Sequence, residues 1–169
     1  MTEFRIVTEE ELRPVLQVLG GLDWPVPFGQ FPDIFERLGW EKQRRKGGVT
    51  NLPVSLRLVS VGELRGEIAE IRFRISDTLP GTSPENKTVV AEQFPAAVAV
   101  VANCLGGEPA GELWASSGAR WDFEDGRQLN LIQGEDTIAL QYWSKRMADI
   151  ERHERSHGVD PAHNLDDRE

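Results

Sequence analysis

A chain of 169 residues with 39% hydrophobic residues and five tryptophans has enough apolar material for one buried core, which excludes a wholly disordered chain. Its net charge of −9 opposes a phosphate backbone, so direct nucleic-acid binding is not expected, and the same charge steers basic partners toward the surface. The single cysteine, Cys104, excludes an intrachain disulfide framework and favours a reducing compartment.

The opening segment "MTEFRIVTEEELRPVLQVLGG" carries acids where a signal peptide needs bases. No apolar stretch reads as long enough to span a bilayer, so a cytoplasmic protein without membrane contact is expected. Within that segment Thr8 and Glu11 match a capping box, and Leu12, Val15, Leu16 and Leu19 recur at helical spacing. They predict an amphipathic helix, kinked near Pro14 and stopped by Gly20 and Gly21. A second helix is predicted over Pro32–Leu38, with Phe31, Ile34, Phe35 and Leu38 as its stripe and Gly39 as its C-terminal cap. Trp24 in "LDWPVPF" and Trp40 in "RLGWEKQ" follow the two helices and read as packing residues rather than ligand contacts.

The basic stretch "KQRRKGG", with Arg37 just upstream, reads as a mobile hairpin tip or loop: a solvated turn more than a functional patch. Two strand patterns follow. In "VSLRLVSV", Val54, Leu56 and Leu58 alternate with Ser55 and Arg57; in "EIRFRISD", Ile71, Phe73 and Ile75 alternate with Arg72 and Arg74. Joined through "GELRGE", they predict an antiparallel pair with one wet face. The segment "TSPENKTVVAEQFPAAVAVVANCLGG" predicts the longest helix, capped by Ser83, opened by Pro84, bent at Pro95 and ended by Gly106 and Gly107. Val90, Phe94, Ala97, Val98, Val101 and Leu105 share one face. Its second half is apolar nearly all round, which predicts a deep position against the sheet, with Cys104 as a small core residue.

In "ARWDFEDGRQLNLIQGEDTIALQYWS", three alternating runs (Trp121 and Phe123; Leu129 and Leu131; Ile138, Leu140 and Tyr142) are separated by the turns "EDGR" and "QGED". They predict a three-stranded meander. Ser144 then caps a charged helix running to Gly158. The expected fold is α+β: an antiparallel sheet of five or six strands, the long helix across one face and the N-terminal helix pair beside it. One domain is expected over 1–157, with a flexible acidic tail over 158–169.

The tail contains a motif that invites a catalytic reading. His153 and His157, four apart with Glu154 between them, and His163 six residues on, have the spacing of a three-histidine zinc protease. Residues four apart share a helix face, so two imidazoles reach one metal while the glutamate deprotonates its water. The surroundings argue against that use. Asp160 stands where such chains need a turning glycine, and Gly158 would end the helix beside the second ligand. Only Ile150 and Val159 offer burial, and no methionine follows His163. A solvated helix end is the preferred reading. The chain also carries no G-x-S-x-G, Walker loop or dinucleotide fingerprint, and no catalytic, metal or cofactor residue is assigned.

The meander turns hold Asp122, Glu124 and Asp125 at one hairpin end and Glu135 and Asp136 at the next. Consecutive turns of a meander lie at opposite ends, so these acids need not form one patch. A solvated face with polar turns competes with a docking surface for a basic protein partner, with Trp121 and Tyr142 as aromatic anchors. Together, "LDWPV", "RLGW" and "ARWDFEDGRQLNLIQGEDTIALQYWSKRMADIE" resemble a family of small uncharacterised actinobacterial proteins similar in organisation to the immunity proteins of polymorphic toxin systems. The resemblance spans most of Thr8 to Glu151 and rests on aromatic and turn positions. It implies a cytoplasmic α+β binding protein that shields its own cell from a toxin or escorts a secreted effector. A non-enzymatic acidic immunity-type protein is therefore expected, with a secretion chaperone second and a zinc-dependent hydrolase third.

Overall fold

The structure is a computed structural model and describes residues 4–114 and 116–157. Helix α1 (Glu9–Gly20) begins where the Thr8 hydroxyl accepts from the Glu11 amide and the Glu11 carboxylate accepts from the Thr8 amide, the reciprocal box that the sequence predicts. Leu12, Val15, Leu16 and Leu19 are all buried. Helix α2 (Phe31–Leu38) follows a single helical turn at Phe28–Gln30 and ends on Gly39, whose φ of 76° is the left-handed geometry of a C-terminal cap. Helix α3 spans Pro84–Leu105 between a Ser83 cap and Gly106, and α4 spans Lys145–Ser156 from a Ser144 cap. The last helix stops on His157, one residue short of the predicted glycine.

Eight strands, not five or six, form one antiparallel sheet in the order β1-β2-β3-β4-β8-β7-β6-β5. The strands are β1 (Glu41–Arg44), β2 (Gly47–Val49), β3 (Leu58–Leu64), β4 (Glu67–Arg74), β5 (Gly111–Glu112), β6 (Gly118–Asp122), β7 (Gln128–Gln133) and β8 (Ile138–Trp143). The added strands come from segments without apolar alternation. The basic stretch, read as a hairpin tip or loop, forms the β1–β2 hairpin with its strands as well as its turn, and β5 is only two residues long. A phase error is also corrected. Val59 and Val61 are the buried residues of β3, while Leu56 and Leu58 are among the exposed large hydrophobics.

Strand register sorts side chains onto two faces. Val59 pairs with Phe73 and Val61 with Ile71; Phe73 pairs with Leu140 and Ile71 with Tyr142; Leu140 pairs with Leu131 and Tyr142 with Leu129. All are buried in one apolar cluster with the inner residues of α1, α2 and α3. An edge-to-face chain of rings from Phe31 through Phe35 and Trp40 to Phe73 ties α2 to the sheet centre. The outer face carries Ser60, Arg72, Gln141, Asn130 and Arg120, and α4 packs beside β4 and β8. There Gln128 donates to Asn130, Asn130 to Gln141 and Gln141 to Glu70, a polar row across the sheet.

Helix α3 departs from expectation. It packs on α1 and reaches β7 and β8, with Val90, Ala97, Val101 and Ala102 buried, but Phe94, Val98 and Leu105 are only half-buried and Ala96 and Ala99 are exposed. It is a partly exposed helix rather than a deep one, because α1 and the sheet together cover only one side of it. By length and composition it is also apolar enough to cross a bilayer, with a window of mean hydropathy 1.5, contrary to the expectation that no stretch would be. The tail expected over 158–169 lies outside the described residues.

Candidate functional site

The turn between β6 and β7 is closed by Gly126 at a φ of 96° and brings Arg127 back over Asp125. Arg127 Nε donates to Asp125 Oδ2 at 2.6 Å, and its Nη1 donates to the Tyr142 hydroxyl at 2.6 Å. The guanidinium centre lies 5.4 Å from the Phe123 ring, 5.5 Å from Trp24 and 5.7 Å from Tyr142, so three aromatic faces surround one cation. Trp24 stacks on Tyr142 with centroids 5.6 Å apart, and its indole nitrogen donates to the Leu19 carbonyl at 2.8 Å. The loop after α1, the β6–β7 turn and β8 thus meet at one cation.

Helix α4 faces this cage across a cleft of about 620 Å³. Trp24, Pro25 and Ile150 supply its apolar surface, and Ile150 is 41% exposed. Its carboxylates are Glu67, Asp125, Asp149 and Glu154; its cations are Arg127, Lys145 and Arg146. Most are paired: Lys145 and Arg152 both reach Asp149 at 2.6 Å, and Arg146 reaches Glu67 at 2.9 Å. Arg152 also donates to the Gly126 carbonyl at 2.6 Å, fastening α4 to the turn.

Titration follows this geometry. Although burial alone would raise it, hydrogen bonds from the Arg127 amide and guanidinium hold the Asp125 carboxyl below its ordinary value. Hydrogen bonding from Lys145, followed by Arg152, does the same for Asp149. Burial pushes the Tyr142 phenol up to about 12. Burial also raises Glu151, which turns toward Gln128 on the outer face.

The residues expected at a docking surface are not brought together. Asp122, Glu124 and Asp125 lie at the end of the sheet next to the cleft, whereas Glu135 and Asp136 lie on the β7–β8 turn at the other end. Asp122 is held by Arg120 at 3.2 Å, Asp125 by Arg127, and Glu135 by Lys87 at 3.7 Å. The two expected anchors are interior groups. Trp121 is 5% exposed and donates to the Gly107 carbonyl at 3.0 Å; Tyr142 is 1% exposed. Their alternation points them into the core, so neither offers surface to a partner. Trp24 and Ile150, which sequence reasoning missed as contact residues, are the apolar groups on the cleft. An apolar residue in the otherwise charged "ADIERHERS" was the available signal for Ile150.

The described part of the histidine motif, His153 to His157, forms no assembled metal site. The His153 and His157 rings lie 4.2 Å apart, and His157 Nδ1 sits 2.9 Å from the His153 carbonyl oxygen. Among the described residues no group of three or more His, Cys, Asp and Glu side chains is placed to hold a metal ion, and His163 lies outside them. Cys104 is half-buried, its thiol pushed up by burial and donating to the Glu9 carbonyl at 3.7 Å.

A family model described as "Family of unknown function (DUF6301)" matches residues 10–144. The chain belongs to that family. The match runs from α1 to the Ser144 cap, so DUF6301 takes in the whole sheet, Trp24 and the Asp125–Arg127 turn, while α4 lies beyond it. No curated protein and no solved structure matches the chain.

Proposed function

We propose that this DUF6301 member is a non-enzymatic binding protein of immunity type, acting in the cytoplasm, which neutralises a toxin by occupying its surface, and that the toxin docks in the α4 cleft. One observation carries the reading: a cleft of about 620 Å³ whose walls combine the apolar Trp24, Pro25 and Ile150 with charged groups of both signs. Apolar anchors accompanied by polar groups are what a recognition surface needs. Its four carboxylates outnumber its three cations, and the net charge of −9 draws a basic partner toward it.

The test uses Ile150→Asp, whose exposed position leaves the core untouched. Co-expressed with toxins encoded beside the gene, the wild-type chain rescues growth and co-purifies with its toxin. The variant loses both while its thermal midpoint stays within about 1 °C of wild type. Rescue by neither chain, with no complex formed, defeats the reading.

A secretion-chaperone role is favoured by a different feature, the partly exposed apolar flank of α3, where Phe94, Val98 and Val100 are only half-buried. A chaperone would protect an extended apolar segment along α3, and substitutions at Ile150 would leave that protection intact.

A further inference from the structure

A second concavity, of about 350 Å³, opens at the other end of the sheet on its outer face. Arg44, Arg72 and Arg74 line it with Ser60, Thr137 and Leu58, and no lining residue is acidic. The register explains how two arginines of β4 and one of β1 meet. Arg72 and Arg74 alternate outward from the buried Ile71 and Phe73. Ser60 is the cross-strand partner of Arg72, Gly47 that of Ser60, and Arg44 that of Gly47. Arg44, Ser60 and Arg72 therefore stand in one row, and the member between Arg44 and Ser60 has no side chain. A Cβ on Gly47 would meet the Val59 carbonyl oxygen at 2.3 Å, so that position is kept bare. The "KQRRKGG" stretch that reads as a solvated turn is what delivers Arg44.

Among the described residues these cations are unspent. The ion pairs among the described residues engage Arg5, Arg13, Lys87, Arg120, Arg127, Lys145, Arg146 and Arg152, and none of them engages Arg44, Arg72 or Arg74. The Arg74 Nε is buried without a hydrogen-bond partner among the described residues. A buried donor on a charged group without a partner is disfavoured, and three like charges around one hollow repel one another. Glu70, two residues before Arg72, is engaged by the Gln141 amide. An oxyanion in the hollow would satisfy the open donor and offset the repulsion together, since the planar guanidinium fork matches a phosphate or carboxylate.

We propose that this hollow binds a small molecule carrying a phosphate or carboxylate group, held by the forks of Arg72 and Arg74, closed over by Arg44 from β1 and met by the Ser60 hydroxyl. Leu58, 39% exposed at the rim, takes the apolar part of the ligand. The occupant is small rather than polymeric. The volume is that of a modest ligand pocket, and a net charge of −9 repels a long polyanion.

Calorimetric titration of the full chain with inorganic phosphate and, separately, with citrate tests the site and separates the two oxyanions. We expect saturable one-to-one binding of at least one of them. Arg72→Gln, at an exposed position, and Arg74→Gln each weaken it by about tenfold or more, while Arg120→Gln, on the same face but paired to Asp122, leaves it unchanged. Three results overturn the proposal: no saturable binding of either anion, undiminished binding in both Arg72→Gln and Arg74→Gln, or equal weakening by Arg120→Gln.

Discussion

Arg127 shows how much one side chain can organise. It sits within three rings, bonds the Tyr142 hydroxyl and the Asp125 carboxylate, and contacts the Leu19 carbonyl at 3.4 Å, so residues from three distant segments converge on it. Arg127→Ala removes the cation from the cage and leaves the buried Tyr142 hydroxyl without its partner. We expect a loss of about 2–3 kcal/mol in urea unfolding at neutral pH. Arg127→Lys keeps the charge but not the fork, and falls between the two. None of this was legible in "EDGR", which announced a turn and nothing about what the arginine would reach. Asp125 was legible as an acid at a hairpin end, but its guanidinium partner turns it from a free docking charge into half of a local pair.

Among the elements, helices were read well and strands unevenly, for a physical reason. A helix is fixed by nearby residues, and Thr8, Glu11, Ser83, Gly39 and Gly106 occupy the cap positions their chemistry predicts. Thr8→Ala removes one side of the box at α1, and we expect it to cost about 1 kcal/mol, measured as a shift in the denaturant midpoint at unchanged slope. Strands depend on partners far along the chain. β1 is polar at every position, with all four residues exposed, so no alternation marks it. In β3, the adjacent Leu58 and Val59 let either phase satisfy the pattern, and only pairing with β4 decides that Val59 faces inward. The α4 cleft was illegible for the same reason: its walls come from residues 24–25, 67, 125–127 and 144–154, which no local motif connects.

For the molecule as a whole, the paired carboxylates shape how stability varies with acidity. Asp125 and Asp149 titrate below their ordinary value of 3.8 in the fold; what they contribute is complete above that value and is lost as pH falls through their lower folded values. Glu151 acts the other way. Its folded value lies above the ordinary 4.5, so its contribution is present below 4.5 and is lost as pH rises through the raised value. Moving from pH 7 toward 4.5 therefore gains stability from Glu151 before the aspartates begin to lose theirs. Glu151→Gln raises the thermal midpoint at pH 7 and flattens that gain; an unchanged profile between pH 7 and 4.5 would refute the assignment. At the two margins of the sheet, β5 offers a neighbour only two residues, and β1 offers a short run bearing Lys42 and Arg44. Lateral recruitment of another copy would find too little backbone on one side and like cations on the other. We therefore expect concentrated solutions of this chain to resist stacking into fibrils, and added salt to weaken that resistance before it weakens the fold, as light scattering followed against salt would show.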